Sequence, residues 1–144
     1  MDRFEEGLAI LNERFGRDTA ISLATLDGGG PAVRTVDGYY EGGAFYVITD
    51  ALSNKMRQIE KNPNVAVCGE WFTARGAGEN LGYIGSSSNS IIREKLKKAF
   101  ASWYENGHID ESDPNTCILK ILLTNGILFN HGKRYDLDFI NRKA

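Results

Sequence analysis

Two glycine-rich breaks stand close together in the first third of this chain, Asp27-Gly28-Gly29-Gly30-Pro31 and then Glu41-Gly42-Gly43. Strand-like runs flank them: Thr-Ala-Ile-Ser-Leu-Ala-Thr-Leu-Asp at 19–27, Ala-Val-Arg-Thr-Val-Asp-Gly-Tyr-Tyr at 32–40 and Ala-Phe-Tyr-Val-Ile-Thr at 44–49. Strands joined by turns this short run antiparallel, because a parallel return needs a crossover of a dozen or more residues. The breaks therefore predict a three-stranded meander, and everything else in the chain must be built around it.

Helical spacing of Phe4, Leu8, Leu11 and Phe15 predicts a helix over 2–15, capped by Asp2 and stopped by Gly16. A short helix is expected over 53–61, with Ser53 as N-cap, Met56 and Ile59 on its apolar face and Asn62-Pro63 ending it. Strands follow at 65–71 and 72–84, the second interrupted by the glycines of Arg-Gly-Ala-Gly-Glu, which suggest a bulge. The longest helix is expected over 90–106, with Ile92, Leu96, Ala99, Phe100 and Trp103 as one stripe and Gly107 as its stop. Strands at 116–124 and 127–140 finish the chain. This is an α+β pattern of about seven mostly antiparallel strands and three helices, and closing such a sheet into a barrel removes its edges.

Composition narrows the function classes. The chain has 144 residues, 42% hydrophobic and 25% charged, which suits one globular domain over 1–144. A net charge of −2 gives no electrostatic footprint for nucleic acid. The basic run Arg93, Lys95, Lys97, Lys98 is interleaved with Glu94 and reads as a solvated helix face. Cys68 and Cys117 lie in apolar runs, with no Cys or His at metal-ligand spacing, so both are expected as buried reduced thiols and no metal site is expected. The first residues lack a signal-peptide pattern and no apolar run approaches ~18 residues. The expectation is a soluble, cytoplasmic protein with no membrane or nucleic-acid partner.

One cluster carries chemistry. The second strand holds Arg34-Thr35-Val36-Asp37, the third ends at Ile48-Thr49, and the next helix opens Ser53-Asn54-Lys55. Neighbouring strands of a meander bring these segments together. A helix N-terminus with free N–H groups attracts anions, Lys55 adds a full positive charge in the first turn, and Arg34 can hold a phosphate bidentately. On the residues alone, a phosphate pocket competes with a surface arginine beside an ordinary capped helix, because neither a P-loop nor a dinucleotide-type glycine motif is present. Tyr39, Tyr40 and Tyr46 read as barrel wall. Of the two histidines, His131 beside Gly132-Lys133-Arg134 is the better candidate for a substrate-facing donor, and His108 reads as a surface residue.

The ordered set Leu-Ala-Thr-Leu-Asp-Gly-Gly-Gly-Pro (23–31), Val-Arg-Thr-Val (33–36), Phe-Tyr-Val-Ile-Thr (45–49), Ser-Asn-Lys (53–55) and Asn-Pro-Asn-Val-Ala-Val (62–67) resembles the pyridoxamine-5′-phosphate-oxidase-like family of FMN-binding split barrels. The resemblance implies an α+β, mostly antiparallel split β-barrel and a homodimer with two flavin mononucleotide (FMN) sites at its interface. It implies that the backbone of Arg34, Thr35, Val36 and Asp37 lines the pyrimidine edge of the isoalloxazine ring. Arg34, Ser53, Asn54 and Lys55 would hold the 5′-phosphate, and Ile48 and Thr49 would line the ring or ribityl chain. Trp71 falls near a position that contacts FMN from the other subunit, with a core or interface tryptophan as its alternative. True pyridoxamine-phosphate oxidases carry two arginines four residues apart near their end, whereas here the residue four past Arg134 is Asp138. An acid there would repel a substrate phosphate, so the chain is expected among the shorter, functionally mixed members. The leading expectation is an FMN-dependent oxidoreductase of a small-molecule substrate or electron acceptor, with His131 and Arg134 as substrate-facing candidates and no catalytic residue assigned. The alternative is a non-catalytic flavin or haem binding, carrier or stress-related protein, with a deazaflavin as a third cofactor.

Overall fold

The computed structural model describes all 144 residues. Helix α1 (Arg3–Phe15) is capped by Asp2, whose carboxylate accepts the Glu5 N–H at 2.8 Å. The meander follows as β1 (Thr19–Asp27), β2 (Gly30–Glu41) and β3 (Ala44–Asp50). Helix α2 (Asn54–Lys61), β4 (Asn64–Gly69) and β5 (Phe72–Tyr83) come next, then α3 (Ser90–Ala99) and a short α4 (Ala101–Trp103). The chain ends with β6 (Thr116–Asn130) and β7 (Lys133–Asp138).

The strand order is β3-β2-β1-β4-β5-β6-β7, entirely antiparallel, and β3 also pairs with β6. The first six strands therefore close into a barrel and β7 extends the sheet beyond it. Closure depends on the length of β6. Its residues 116–122 pair with β3 and its residues 125–130 pair with β7. On β2 the situation is reversed. Only Tyr39, Tyr40 and Glu41 pair with β3, so residues 31–38 bond to β1 on one side and leave the other edge open. This gap between β2 and β3 is the split.

Alternation along the strands sends Ile21, Leu23, Val47, Val67, Phe72 and Leu119 inward, and they form one core with the buried face of α1. Phe15 anchors that face. Its ring packs at 5.6 Å from Phe45 and 5.8 Å from Phe72, and it lies over Gly69, where a Cβ would come within 2.7 Å of it. A second cluster sits outside the barrel, where Leu96, Phe100 and Tyr104 bury Ile84 and Ile118 with Tyr39 and Tyr46 against them. No helix is long and apolar enough to cross a membrane.

Several expectations need correction. The long helix breaks at Phe100 (φ −99°, ψ 22°), whose ring turns into the second cluster and stacks on Trp103 at 4.8 Å. A π-helical turn and Gly107 at φ +96° follow, so there are four helices rather than three. The expected break between strands 116–124 and 127–140 is absent at 125–126. β6 runs through it, because Gly126 lies against Phe72 and Thr73, where a Cβ would meet the Phe72 ring at 2.9 Å. The hairpin turns instead at His131-Gly132, both at positive φ. β4 stops at Gly69, which places Trp71 in a turn at φ +51° rather than in a strand. Cys117 is buried as expected, but Cys68 is exposed, because it follows the inward Val67 and so faces out.

Removing the Phe15 ring should empty the contact between α1 and the barrel core. Phe15→Ala is expected to destabilise the protein by about 3–5 kcal/mol in urea denaturation, from lost burial and the cavity left between Phe45 and Phe72. A loss below about 1 kcal/mol would show that α1 is not part of the cooperative core.

Candidate functional site

The split is flanked by the open edge of β2 and by the start of α2. Alternate residues of a strand edge turn their N–H and C=O groups outward, so residues 31–38 present a row of backbone donors and acceptors with no protein partner across the gap. Val36 points into the core, and Thr35 and Asp37 are exposed on the outer face. Burial, and then the neighbouring Asp18, hold the Asp37 carboxyl above the usual carboxylate value.

Arg34 leaves this edge half-buried and reaches under β1. Its Nη1 donates to Thr25 Oγ1 at 2.7 Å and to the Leu23 carbonyl at 3.2 Å, and its Nη2 donates to Gln58 Oε1 at 3.1 Å. No carboxylate forms an ion pair with it. Asp27 lies beyond Gln58, whose amide donates to it over 3.4 Å. Burial lowers the Arg34 pKa, and the charge of Asp27 opposes that shift.

Helix α2 begins beside this guanidinium. Ser53 occupies the N-cap position with extended backbone (φ −67°, ψ 158°), but its hydroxyl makes no capping bond, contrary to expectation. The Ser53 Oγ atom is buried and has no hydrogen-bond partner. Lys55 is also half-buried, and its ammonium is pushed below its ordinary pKa by burial first and by the charge of Arg34 second. The charge of Arg34 acts on Lys55, which puts the two cations in one region. Asn54 is exposed at the same helix start. Ile48 and Thr49 lie just before it on β3, paired with Ile118 and Cys117 of β6. The structure thus brings Arg34, Ser53 and Lys55 to one place, next to Ile48, Thr49 and the open β2 edge.

Two half-buried cations that form no ion pair, although Asp27 acts on Arg34 and Asp50 on Lys55, and one orphaned hydroxyl at a helix N-terminus are the groups that would suit a dianion. A buried positive charge is costly unless paired, and a buried hydroxyl without a bond forfeits about 1–3 kcal/mol. A phosphate monoester supplies both the charge and the acceptors.

The other sequence candidates lie elsewhere in the chain. β4 separates α2 from Trp71 by roughly 17 Å of extended chain, and Trp71 is 71% exposed. His131 stands in the adjacent β6–β7 turn. With Arg14, Glu70 and Phe129 these two residues line a recess of about 490 Å³. Both terminal nitrogens of Arg14 are occupied there, donating to the Glu70 and Phe129 carbonyls and to Asn130 Oδ1. Arg134 pairs with Asp136 at 2.9 Å, and Asp138 accepts from Asn141 and the Ile140 N–H. A third depression of about 950 Å³ covers the outer sheet face, from Val33 across Ala66, Cys68 and Arg75 to Ile140. Thr25 and Gln58 had drawn no notice in the sequence. The one available signal is a hydroxyl residue in the inward row of β1 that is otherwise Ile21 and Leu23.

Cys117 lies beside Lys55 in this region. Burial pushes its thiol up to about 11, with Asp50 adding to the rise and Lys55 opposing it. The fold favours the neutral thiol, so this contribution is complete below the ordinary value of 9.0 and is lost as pH rises through about 11. In a Cys68→Ser variant at pH 8, Cys117 is expected to resist a thiolate-selective disulfide reagent in the native protein and to react fully in denaturant. Rapid labelling of the native form would contradict the assigned burial.

The sequence profile of the family described as "Pyridoxamine 5′-phosphate oxidase" matches residues 9–127. General stress protein 26 of Bacillus subtilis (strain 168) is 29% identical over 114 residues, covering 78% of this chain and 81% of that protein. Among solved structures, a heme binding protein from Mycobacterium smegmatis superposes with a TM-score of 0.70 at 17% identity, covering 99% of this chain and 60% of that one. A FAD-binding protein from Mesorhizobium loti superposes with a TM-score of 0.62 at 16% identity, covering 82% of this chain and 91% of that one. At these identities the superpositions establish the shared fold.

Proposed function

Because this chain belongs to the pyridoxamine 5′-phosphate oxidase family, we propose that it binds FMN in the split and acts as a flavin-dependent oxidoreductase on a small molecule. The observation that carries this reading is the buried, unpartnered Ser53 Oγ near two half-buried cations, Arg34 and Lys55, that feel the charges of Asp27 and Asp50 but form no ion pair with either. These groups would hold the 5′-phosphate, with Asn54 at its solvent side. The open edge of β2 at Arg34, Thr35, Val36 and Asp37 would hydrogen-bond the pyrimidine side of the ring. Ile48 and Thr49 would flank the ring or ribityl chain.

Bound flavin supplies hydride and single-electron transfer. The protein's part is to grip the phosphate, align the ring along the strand edge and leave one ring face to the substrate. Asp37, whose carboxyl is held above its usual value, is the titratable group on that edge. Vitamin B6 phosphate is not the proposed substrate, since Arg134 is already paired with Asp136.

A homodimer belongs to the same reading. Trp71 and His131 stand beyond the end of β4, away from the α2 residues of their own chain, and they would reach the site of a second copy. A tryptophan held at φ +51° is strained by about 1–3 kcal/mol; its carbonyl accepts the Phe129 N–H at 2.9 Å, but its side chain is left exposed. Haem is the competing ligand, supported by the heme-binding fold neighbour, but cations paired with an orphaned hydroxyl suit a phosphate ester better than a porphyrin.

Protein purified without added cofactor should show oxidised-flavin absorbance bands, and the released ligand should have the mass of FMN. A Soret band would contradict the flavin reading. The double variant Arg34→Ala/Lys55→Ala is expected to weaken FMN binding at least ~10-fold, through lost charge-assisted bonds. Reduction by NADH or NADPH with repeated reoxidation would support an enzyme, and inert bound flavin would support a carrier. Sedimentation of the flavin-bound protein is expected at twice the chain mass of 16.0 kDa. A flavin-bearing single chain would rule out the contribution of Trp71 and His131 in trans.

A further inference from the structure

Arg34 is the best-connected cation of the proposed phosphate site, and its hydrogen bonds are unevenly distributed. A guanidinium has five N–H donors in a fixed plane. Both on Nη1 are used, by Thr25 Oγ1 at 2.7 Å and the Leu23 carbonyl at 3.2 Å, and one on Nη2 is used by Gln58 Oε1 at 3.1 Å. Nε makes no bond. The Thr25 hydroxyl, having accepted from Nη1, donates onward to Gln58 Oε1 at 2.5 Å. That contact keeps Gln58 Oε1 on the Nη1 flank of the guanidinium. The donors left over are Nε–H and the outer Nη2–H, which point the same way and are spaced to meet two oxygens of one anion.

We infer that Thr25 and Gln58 are positioning residues that turn the free Nε/Nη2 fork of Arg34 toward the phosphate of the ligand, so that they set the selectivity for a phosphorylated flavin over its unphosphorylated form. The inference rests on the phosphate-site reading given above.

The pair is built for this task. Thr25 is 1% exposed, and its hydroxyl is spent on Arg34 and Gln58. Gln58 sits one turn along α2 from Asn54 and Lys55, so a single helix carries both the phosphate-facing residues and the group that orients Arg34. The Gln58 amide is itself oriented, because its Nε2 faces Asp27 while Asp27 accepts the Gly29 N–H at 2.7 Å in the β1–β2 turn. A neutral amide at position 58 holds Arg34 without cancelling its charge. A carboxylate there would pair with the guanidinium and compete with the phosphate.

The test measures dissociation constants for FMN and for riboflavin, which lacks the phosphate, with the wild type and with Thr25→Val, Thr25→Ser, Gln58→Leu, Gln58→Glu and Arg34→Ala. Thr25→Val and Gln58→Leu are each expected to weaken FMN about tenfold and to leave riboflavin within about twofold. Gln58→Glu should weaken FMN more than Gln58→Leu, and Thr25→Ser should retain wild-type affinity. In an Arg34→Ala background, Gln58→Leu should have no further effect on FMN, since its action passes through Arg34. Equal losses for FMN and riboflavin would overturn the inference by assigning the pair a general structural role. Unchanged FMN affinity in Thr25→Val and Gln58→Leu, with a loss in Arg34→Ala, would overturn it while leaving the phosphate site standing. An Arg34→Ala variant that binds FMN like the wild type would overturn both.

Discussion

Strand β3 pairs with β6 along its whole length but with β2 over only three residue pairs, and the rest of the structure depends on this imbalance. A closed barrel normally satisfies every strand edge. Here the sheet closes through β6 and leaves residues 31–38 of β2 with an open edge inside an otherwise sealed wall. Exposed strand edges are usually blunted by charge, by proline or by a covering element. Only Pro31 and the alternation of Val33, Arg34, Thr35 and Asp37 protect this one. An extended, hydrogen-bonding heterocycle would satisfy the edge as a neighbouring strand would.

The electrostatics near the edge point to the same occupant. Arg34 and Lys55 are both partly withdrawn from water, the charge of Arg34 depresses Lys55, and neither forms an ion pair with a carboxylate. Ser53, at the start of α2, keeps a buried hydroxyl free. The fold gives up stability at each of these three groups, and natural chains tend to do so where a ligand returns it. The outer cluster under α3 and the plug formed by α1 hold the two sides of the split in place. Neither contributes a group to the phosphate-facing cluster.

Local chemistry in the sequence accounts for what could be read from it. The Gly-rich turns dictated the meander, Asp2 and Asn62-Pro63 bounded their helices, and Arg34, Ser53 and Lys55 did converge. Long-range pairing was not readable, because nothing local in 44–49 says that it will bond to residues some seventy positions later. Asn125-Gly126 has the residues of a tight turn, yet the Phe72 ring across the sheet requires a glycine there for space. Trp71 takes a positive φ that glycine or asparagine would adopt more easily, so its turn was read as strand. Thr25 and Gln58 looked like an ordinary strand residue and an ordinary helix residue. Their importance comes from the approach of β1 to α2, which only the folded chain reveals. The exposure of Cys68 is legible in the sequence, since alternation from the inward Val67 turns it outward.

A crystal structure of the protein grown with FMN tests the central claim most directly. The account expects the phosphate within hydrogen-bond distance of Ser53 Oγ, Lys55 Nζ and the Nε/Nη2 edge of Arg34, and the ring alongside residues 34–37 of β2. Flavin bound on the outer sheet face near Cys68 and Ile140, with Ser53 Oγ still unpartnered, would contradict it.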